Sequence, residues 1–549
     1  MLARVEEYMA EAVSFSDHAL VSFSLKPGAR TRSKARDGSW KMNMSILQDE
    51  EFASIVKEKI EVLSNETPLD ACVWENFKME LKELATDVSQ KRQLERTREK
   101  RALVQSLKTL IVEEEQSPGV FLEDIKECKT QLLKLLEEKL YGAAVRSRTR
   151  MLNEEEVPTK IFATLERARG ERNTILKVRK GDAIAEGQTE VGEMFSAVYS
   201  ELFRREDVDN DVTDSFLNDL PQVSEEHKDR MDQPISAAEV NWAIKNLPAN
   251  KAPGPDGIGS EFYKMFIILL CPILLTVFRD IKERQLLPPS MKESFTVLIP
   301  KAQTYGKIPE VTNFRPISLL STNYKIMAKI LARRSDIGLK SVIGEHQTYG
   351  LKGRSIYRNL HVMRFACEAT AKGHQPLAVL QTDLSQAFDR VSHEFLMKVL
   401  ERCGVGDVMR DSIALCYKSI TTRLIINGKK GKPVPVQRSV RQGCPMSPIL
   451  FALQLEPLCL KVQRNQSISG LKLEGASVKL LDVSFVCSSK RQIETVLEEL
   501  ESYGRCSGER INKNKSKGSW LGEWATKPSE FMGVKWSTGV EKYLGVPMN

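Results

Sequence analysis

The stretch that decides the fold is LAVLQTDLSQAFDRVSHEFL (377–396). An unbroken apolar run, LAVL, reads as a short strand buried on both faces, and a helical pattern begins near Gln386. Asp383 stands where the strand gives out. An acid at the end of a buried strand is a costly placement unless it meets a metal ion or hydrogen-bond donors. The other open reading is a helix cap, a role Asp fills well.

A second stretch, SVRQGCPMSPILFALQLEPL (439–458), sets a turn before an amphipathic helix. Gly443 lets backbone or ligand come close, and the first amides of a helix favour phosphate. A plain Gly-Pro turn opening a core helix explains the same residues. From about residue 236 onward, strands, helices and Pro/Gly turns alternate, as in a mixed α/β catalytic domain. Within that region APGPDGIG (252–259) reads as a rigid loop.

Residues 46–235 read as mainly helical, rich in Lys, Glu, Arg and Leu with few Gly or Pro. Six of the eleven residues from Lys91 to Arg101 are basic, which suits a solvated helix face or coiled-coil arm and, alternatively, an RNA-binding stripe. Residues 1–45 hold two alternating runs, VSFSDHALVSFSL and SWKMNMSIL, expected to be strands.

Composition excludes some classes. Of 549 residues 41% are hydrophobic and 28% charged, the balance of an ordinary folded protein. Lys plus Arg outnumber Asp plus Glu by 81 to 73, a net +8 that is compatible with a nucleic-acid partner without requiring one. Ten cysteines form no C-x-x-C pair, so no zinc knuckle is visible and a reduced, intracellular chain is expected. MLARVEEYMAEA lacks the apolar core of a signal peptide. Phe266 to Phe278, which contains Pro272, is too short to span a bilayer and reads as a buried helix, so no membrane partner is expected.

Taken in order, NKAPGPDGIGSEFYKMF, FTVLIPKAQ, NFRPISLLSTNYKIMAKILARR, GRSIYRN, TDLSQAFDRV, RQGCPMSPILFAL, SGERINKNKSK and YLGV resemble the reverse transcriptases of non-LTR (long interspersed element) retrotransposons. FSDHALV resembles the last motif of the apurinic-type endonuclease that precedes the polymerase in such elements, with Asp17 and His18 at its acid–base pair. AVRSRTRMLNEEEVPTKIFATLER is similar to the linker between the two. The resemblance implies an α+β right-hand polymerase: an endonuclease remnant over 1–45, a helical basic linker over 46–235, fingers over 236–375, a palm over 376–520 and the start of a thumb over 521–549. The reverse transcriptase domain itself would run from about 284 to 549. Nicking activity is not expected, because the rest of the nuclease is not present.

The same resemblance assigns roles. Asp383 would be the first catalytic acid and a ligand of Mg²⁺ (or Mn²⁺), joined by the carbonyl of Leu384. Phe388 would exclude the 2′-hydroxyl, and Gln442 and Gly443 would line the nucleotide site. Lys301 and Arg315 would grip the triphosphate, Lys515 would act as general acid, and Arg354 would touch the template. RNA template, DNA primer or target and deoxynucleoside triphosphates are the implied partners, and nucleus and cytoplasm the implied location.

One block departs from the family. Where a strand–turn–strand with an aromatic residue, Ala and two adjacent aspartates is expected, this chain reads ASVKLLDVSFVCSSK (476–490). Asp482 alone stands between the strands, as though four residues including the first acid of the pair were deleted; by resemblance it is the second acid, a catalytic residue and a metal ligand. The expectation is a continuous run of strand and a polymerase without activity, because two ions need several converging carboxylates. The competing reading is a binding module that holds RNA without catalysis.

Overall fold

A computed structural model describes residues 5–12, 19–25, 39–147, 174–301, 308–373, 375–473 and 476–548. They divide into two compact units, one drawn from 1–38, 82–175 and 427–429 and the other from 39–81, 176–426 and 430–549.

In the smaller unit Val5–Ala12 and Ala19–Leu25 pair as an antiparallel hairpin. Asp17 and His18 lie outside the described residues. The Ala71–Gln116 helix supplies this unit from residue 82 onward, and Leu122–Ser147 is its second helix. The Glu114 carboxylate closes the turn between the two by accepting from Phe121 N at 2.7 Å. Side chains at 94–101 are exposed throughout, as both a solvated face and an RNA-binding stripe require.

The SWKMNMSIL run is not a strand. Met42 N donates to Gly257 O at 3.0 Å, and Met44–Gln48 is a 3₁₀ turn capped by the Asn43 side chain. Its apolar residues Met42, Ile46 and Leu47 are buried. Burial is achieved by a turn docked on the larger unit's own loop, and a partner strand is not needed.

The larger unit contains two main sheets. In the first, Glu293–Pro300 pairs antiparallel with Phe314–Leu319 and parallel with Thr421–Ile426. The second has six strands in the order Leu480–Leu481, Ser484–Cys487, Leu377–Gln381, Lys517–Leu521, Val534–Thr538, Glu530–Phe531. Its pairs are antiparallel except Lys517–Leu521 with Val534–Thr538, which run parallel. The sheet is therefore mixed.

LAVL sits centrally in that sheet and is buried along its length. Leu377 and Val379 face a cluster with Leu360, Met363, Leu521 and Tyr543. Ala378 and Leu380 point to the opposite face, as the two-residue period of a strand requires. Ile267 to Phe278 is helical as expected, within Ile267–Arg284, with Phe266 at its N-cap and Pro272 in its first turns. Among the described residues, no helix is long and apolar enough to cross a membrane. All ten cysteines are free.

The strand–turn–strand around Asp482 is shortened but not lost. Leu480 pairs with Phe485 and Leu481 with Ser484, so Asp482 and Val483 form the turn of a hairpin. Asp482 takes a positive φ of 49°, a conformation Asp tolerates better than most residues. This corrects the expectation of one continuous strand. The apolar residues on both sides still find the Leu377–Gln381 strand as a partner, and two residues are enough to reverse the chain.

Candidate active site

Past Gln381 the chain leaves the sheet and is held by its neighbours. Thr382 donates to Val483 O from its amide (3.2 Å) and its hydroxyl (2.6 Å). Asp383 N donates to Ser516 Oγ at 3.0 Å, and Asp383 O accepts from Asn512 N at 2.7 Å. Ser385 N donates to Arg510 O at 2.8 Å, making Leu384 and Ile511 an antiparallel bridge. The bridging bonds belong to Leu384's neighbours, so its own carbonyl is not used by the ladder.

The Asp383 carboxylate is not a helix cap. The short helix Ala387–Arg390 begins after Gln386, which has φ 52°. Asp383 is exposed, and among the described residues no donor reaches its carboxylate. The backbone bonds above carry Lys515 to the same place, in a turn where Ser516 N bonds Asn512 O at 2.9 Å.

Charges gather around this point. Lys301 is anchored by its amide to Asn313 O (2.8 Å) and by Nζ to Thr312 O (2.8 Å). Burial holds its pKa below the usual lysine range, with Lys515 and Arg315 pushing the same way and Asp389 and Asp383 opposing. Three cations and two acids thus share one field. Cations so placed suit the oxygens of a polyphosphate.

Asp389 is the residue that sequence reasoning missed. Burial raises its pKa to about 7 against the pull of Lys301, Arg390 and a hydrogen bond from Gln442. Gln442 Nε2 meets its Oδ2 at 3.2 Å, while Gln442 O accepts from Ser318 N at 2.8 Å. The signal available was its place in AFDR, one turn of helix beyond the exposed acid.

Gly443, at φ 113°, lies so close to Ser318 that a Cβ would come within 2.7 Å of its carbonyl oxygen. Phe388 stacks on Phe451 (4.7 Å, 15°) and meets Tyr349 edge-on (6.3 Å, 85°), which fixes its ring.

Residues 299–547 match the reverse transcriptase (RNA-dependent DNA polymerase) family. The match takes in Asp383, Asp389, Gln442 and Asp482. The chain is similar to a 149 kDa protein of transposon TX1 from Xenopus laevis, 29% identical over 565 residues, covering 100% of this chain and 42% of that protein. It is also similar to the polyprotein of a type-1 retrotransposable element R2 from Nasonia vitripennis, 27% identical over 49% of this chain and 25% of the relative. A probable RNA-directed DNA polymerase from transposon BS of Drosophila melanogaster is 25% identical over 40% of this chain and 24% of its own length. The chain spans less than half of each of these relatives. The family match and the names of these relatives support a retrotransposon reverse transcriptase.

In the matched region the second acid, Asp482, has other partners than Asp383. The Asp482 carboxylate accepts from Thr348 N (2.8 Å), from Thr348 Oγ1 (3.0 and 3.2 Å) and from Asn359 Nδ2 (2.8 Å). Its amide donates to His346 O at 2.9 Å. Asp482 therefore fastens the 346–348 loop and the Ile356–Gly373 helix to the hairpin. Arg354 is similarly committed within the chain, donating to the carbonyls of Lys340, Ile343, Gly344 and Gln347.

Reverse transcriptase domains generally use divalent metal ions. The described donors do not fit a pair of them. Asp383 offers a free carboxylate, whereas the oxygens of Asp482 are filled by three donor groups. Asp389 is buried beside Gln442 and Lys301. A single free carboxylate cannot offset the repulsion between two divalent ions.

Proposed function

We propose that this chain has the scaffold of an RNA-directed DNA polymerase, binds RNA and a primer, and does not extend the primer. The observation that carries the reading is the capture of Asp482 by Thr348 and Asn359. The nucleotide-facing parts support retained binding: Lys301, Arg315 and Lys515 share one field, and Phe388 and Gly443 are held in place by packing. In this reading Lys301 and Arg315 face the triphosphate, Phe388 bounds the sugar, and Gln442 and Gly443 line the pocket floor. Residues 236–375 act as fingers and 376–520 as palm.

Binding of a primed RNA template, measured over a range of salt concentrations, tests it. The expected result is affinity that falls steeply as salt rises, the mark of phosphate contacts releasing counterions, with no elongated primer when triphosphates and Mg²⁺ are added. Absence of RNA affinity at low salt would overturn the binding half, and elongation would overturn the other.

A further inference from the structure

No spacing of cysteine and histidine suggests a metal site, yet the fold builds one in the core of the larger unit. His346 precedes the loop residue Thr348, and Glu456 and Cys459 lie on the helix Ser447–Arg464. One ligand atom from each of the three falls within 4.8 Å of the others. All are enclosed: His346 is 9% exposed, Glu456 1% and Cys459 2%.

His346 Nε2 is buried without a hydrogen-bond partner, 3.6 Å from Glu456 Oε2. Two ligands on a tetrahedral zinc ion stand about 3.4 Å apart, given bonds near 2.1 Å. The other ring nitrogen, Nδ1, lies 2.9 Å from Gln463 Nε2. Metal binding at His346 Nε2 requires that carboxamide to turn by a half rotation, so that its oxygen accepts Nδ1–H as outer partners of metal-bound histidines do.

Glu456 is oriented by Gln347, whose Nε2 donates to Oε2 at 2.6 Å. The main chain closes the site at Gly344, where a Cβ would lie 2.2 Å from the His346 ring and 2.9 Å from Glu456 Oε1. Two acids lie here, Glu456 within the trio and Asp482, whose carboxylate is bonded to Thr348 two residues on from His346. Arg354 is the nearby cation that opposes them, with its donors engaged by carbonyls.

We propose that His346 Nε2, a Glu456 oxygen and Cys459 Sγ bind one zinc-class divalent ion, which ties the 344–348 loop to the Ser447–Arg464 helix. The mixed nitrogen, oxygen and sulfur set favours zinc over the oxygen-seeking Mg²⁺. Cys459 releases its proton to solvent as the thiolate–metal bond forms, and a water takes the fourth position. Sγ lies within 4.8 Å of the other two ligand atoms, so reaching the spacing of ligands on one zinc ion needs a movement of at most about 1 Å.

Cobalt titration of the full chain after chelation tests this, since cobalt reports a thiolate ligand by charge-transfer absorption in the near ultraviolet. The expected result is a stoichiometric band that zinc displaces. The band should be lost in Cys459→Ser and in His346→Gln, and kept in Cys487→Ser, which alters a buried cysteine on the neighbouring strand. A native chain without a thiolate band overturns the proposal, whether or not any variant folds. So does a band that survives Cys459→Ser.

Discussion

Asp383 and Asp482 occupy adjoining ends of one sheet and have opposite surroundings. Their chain neighbours are hydrogen-bonded, Thr382 to Val483, yet the Asp383 carboxylate is exposed with no donor among the described residues, and that of Asp482 is filled by Thr348 and Asn359. The first acid is fixed entirely through its backbone, which leaves the side chain available for chemistry. The second is fixed through its side chain, which makes it part of the framework. Two residues of turn bring the chain back into the sheet, but they leave the acid at a position where the 346–348 loop can claim it.

The largest effect should come from restoring the longer turn. Inserting Ala-Tyr-Ala-Asp between Leu481 and Asp482 is expected to raise primer extension on an RNA template by about a hundredfold or more, the scale on which misplaced catalytic groups act. Asp383→Ala in the repaired chain should remove the gain. If the repaired chain stays silent, the contrast between the two acids does not account for the proposed lack of extension.

A third acid sharpens the comparison. Asp389 has a folded pKa of about 7 against 3.8 in the unfolded chain. The folded state therefore holds its proton longer. Its stabilising contribution is complete below pH 3.8 and is lost as pH rises through about 7. Asp389→Asn cannot ionise, so its stability should decline less across that interval, by up to about 4 kcal/mol at the alkaline end. Denaturant midpoints at a series of pH values would reveal it. Parallel curves for the two proteins would mean that Asp389 ionises freely and could serve as the missing ligand.

Next in size is the framework role of Asp482. Asp482→Ala strips the partners from Thr348 and Asn359 and should cost about 2–3 kcal/mol in chemical unfolding. Asp482→Asn keeps an acceptor and tolerates the positive φ, so its loss should be smaller. Asp383→Ala, at an exposed position free of such bonds, should stay within about 0.5 kcal/mol of the parent. Equal losses at the two positions would erase the distinction.

Much of this was legible in the sequence, and the limits have physical causes. LAVL followed by Asp383 disclosed a buried strand ending at an acid, because full burial leaves an unbroken apolar run. Gly443 announced a close backbone approach. What could not be read was the fate of side chains whose partners come from distant segments. The capture of Asp482 depends on Thr348 and Asn359, and the tethering of Arg354 on carbonyls of a loop it closes. SWKMNMSIL misled because alternation shows that residues are buried in turn, not that a strand buries them. The hairpin survived a shortening expected to straighten it, since strand pairing is set by the flanking residues more than by the turn.

The central claim is that Asp482 is a fastening and not a metal ligand. Primer extension by the unaltered chain on an RNA template with Mg²⁺, beside Asp383→Ala and Asp482→Asn, tests it most directly. The account predicts that none of the three extends the primer. Extension by the unaltered chain that both substitutions abolish would contradict it, and would return Asp482 to the catalytic centre.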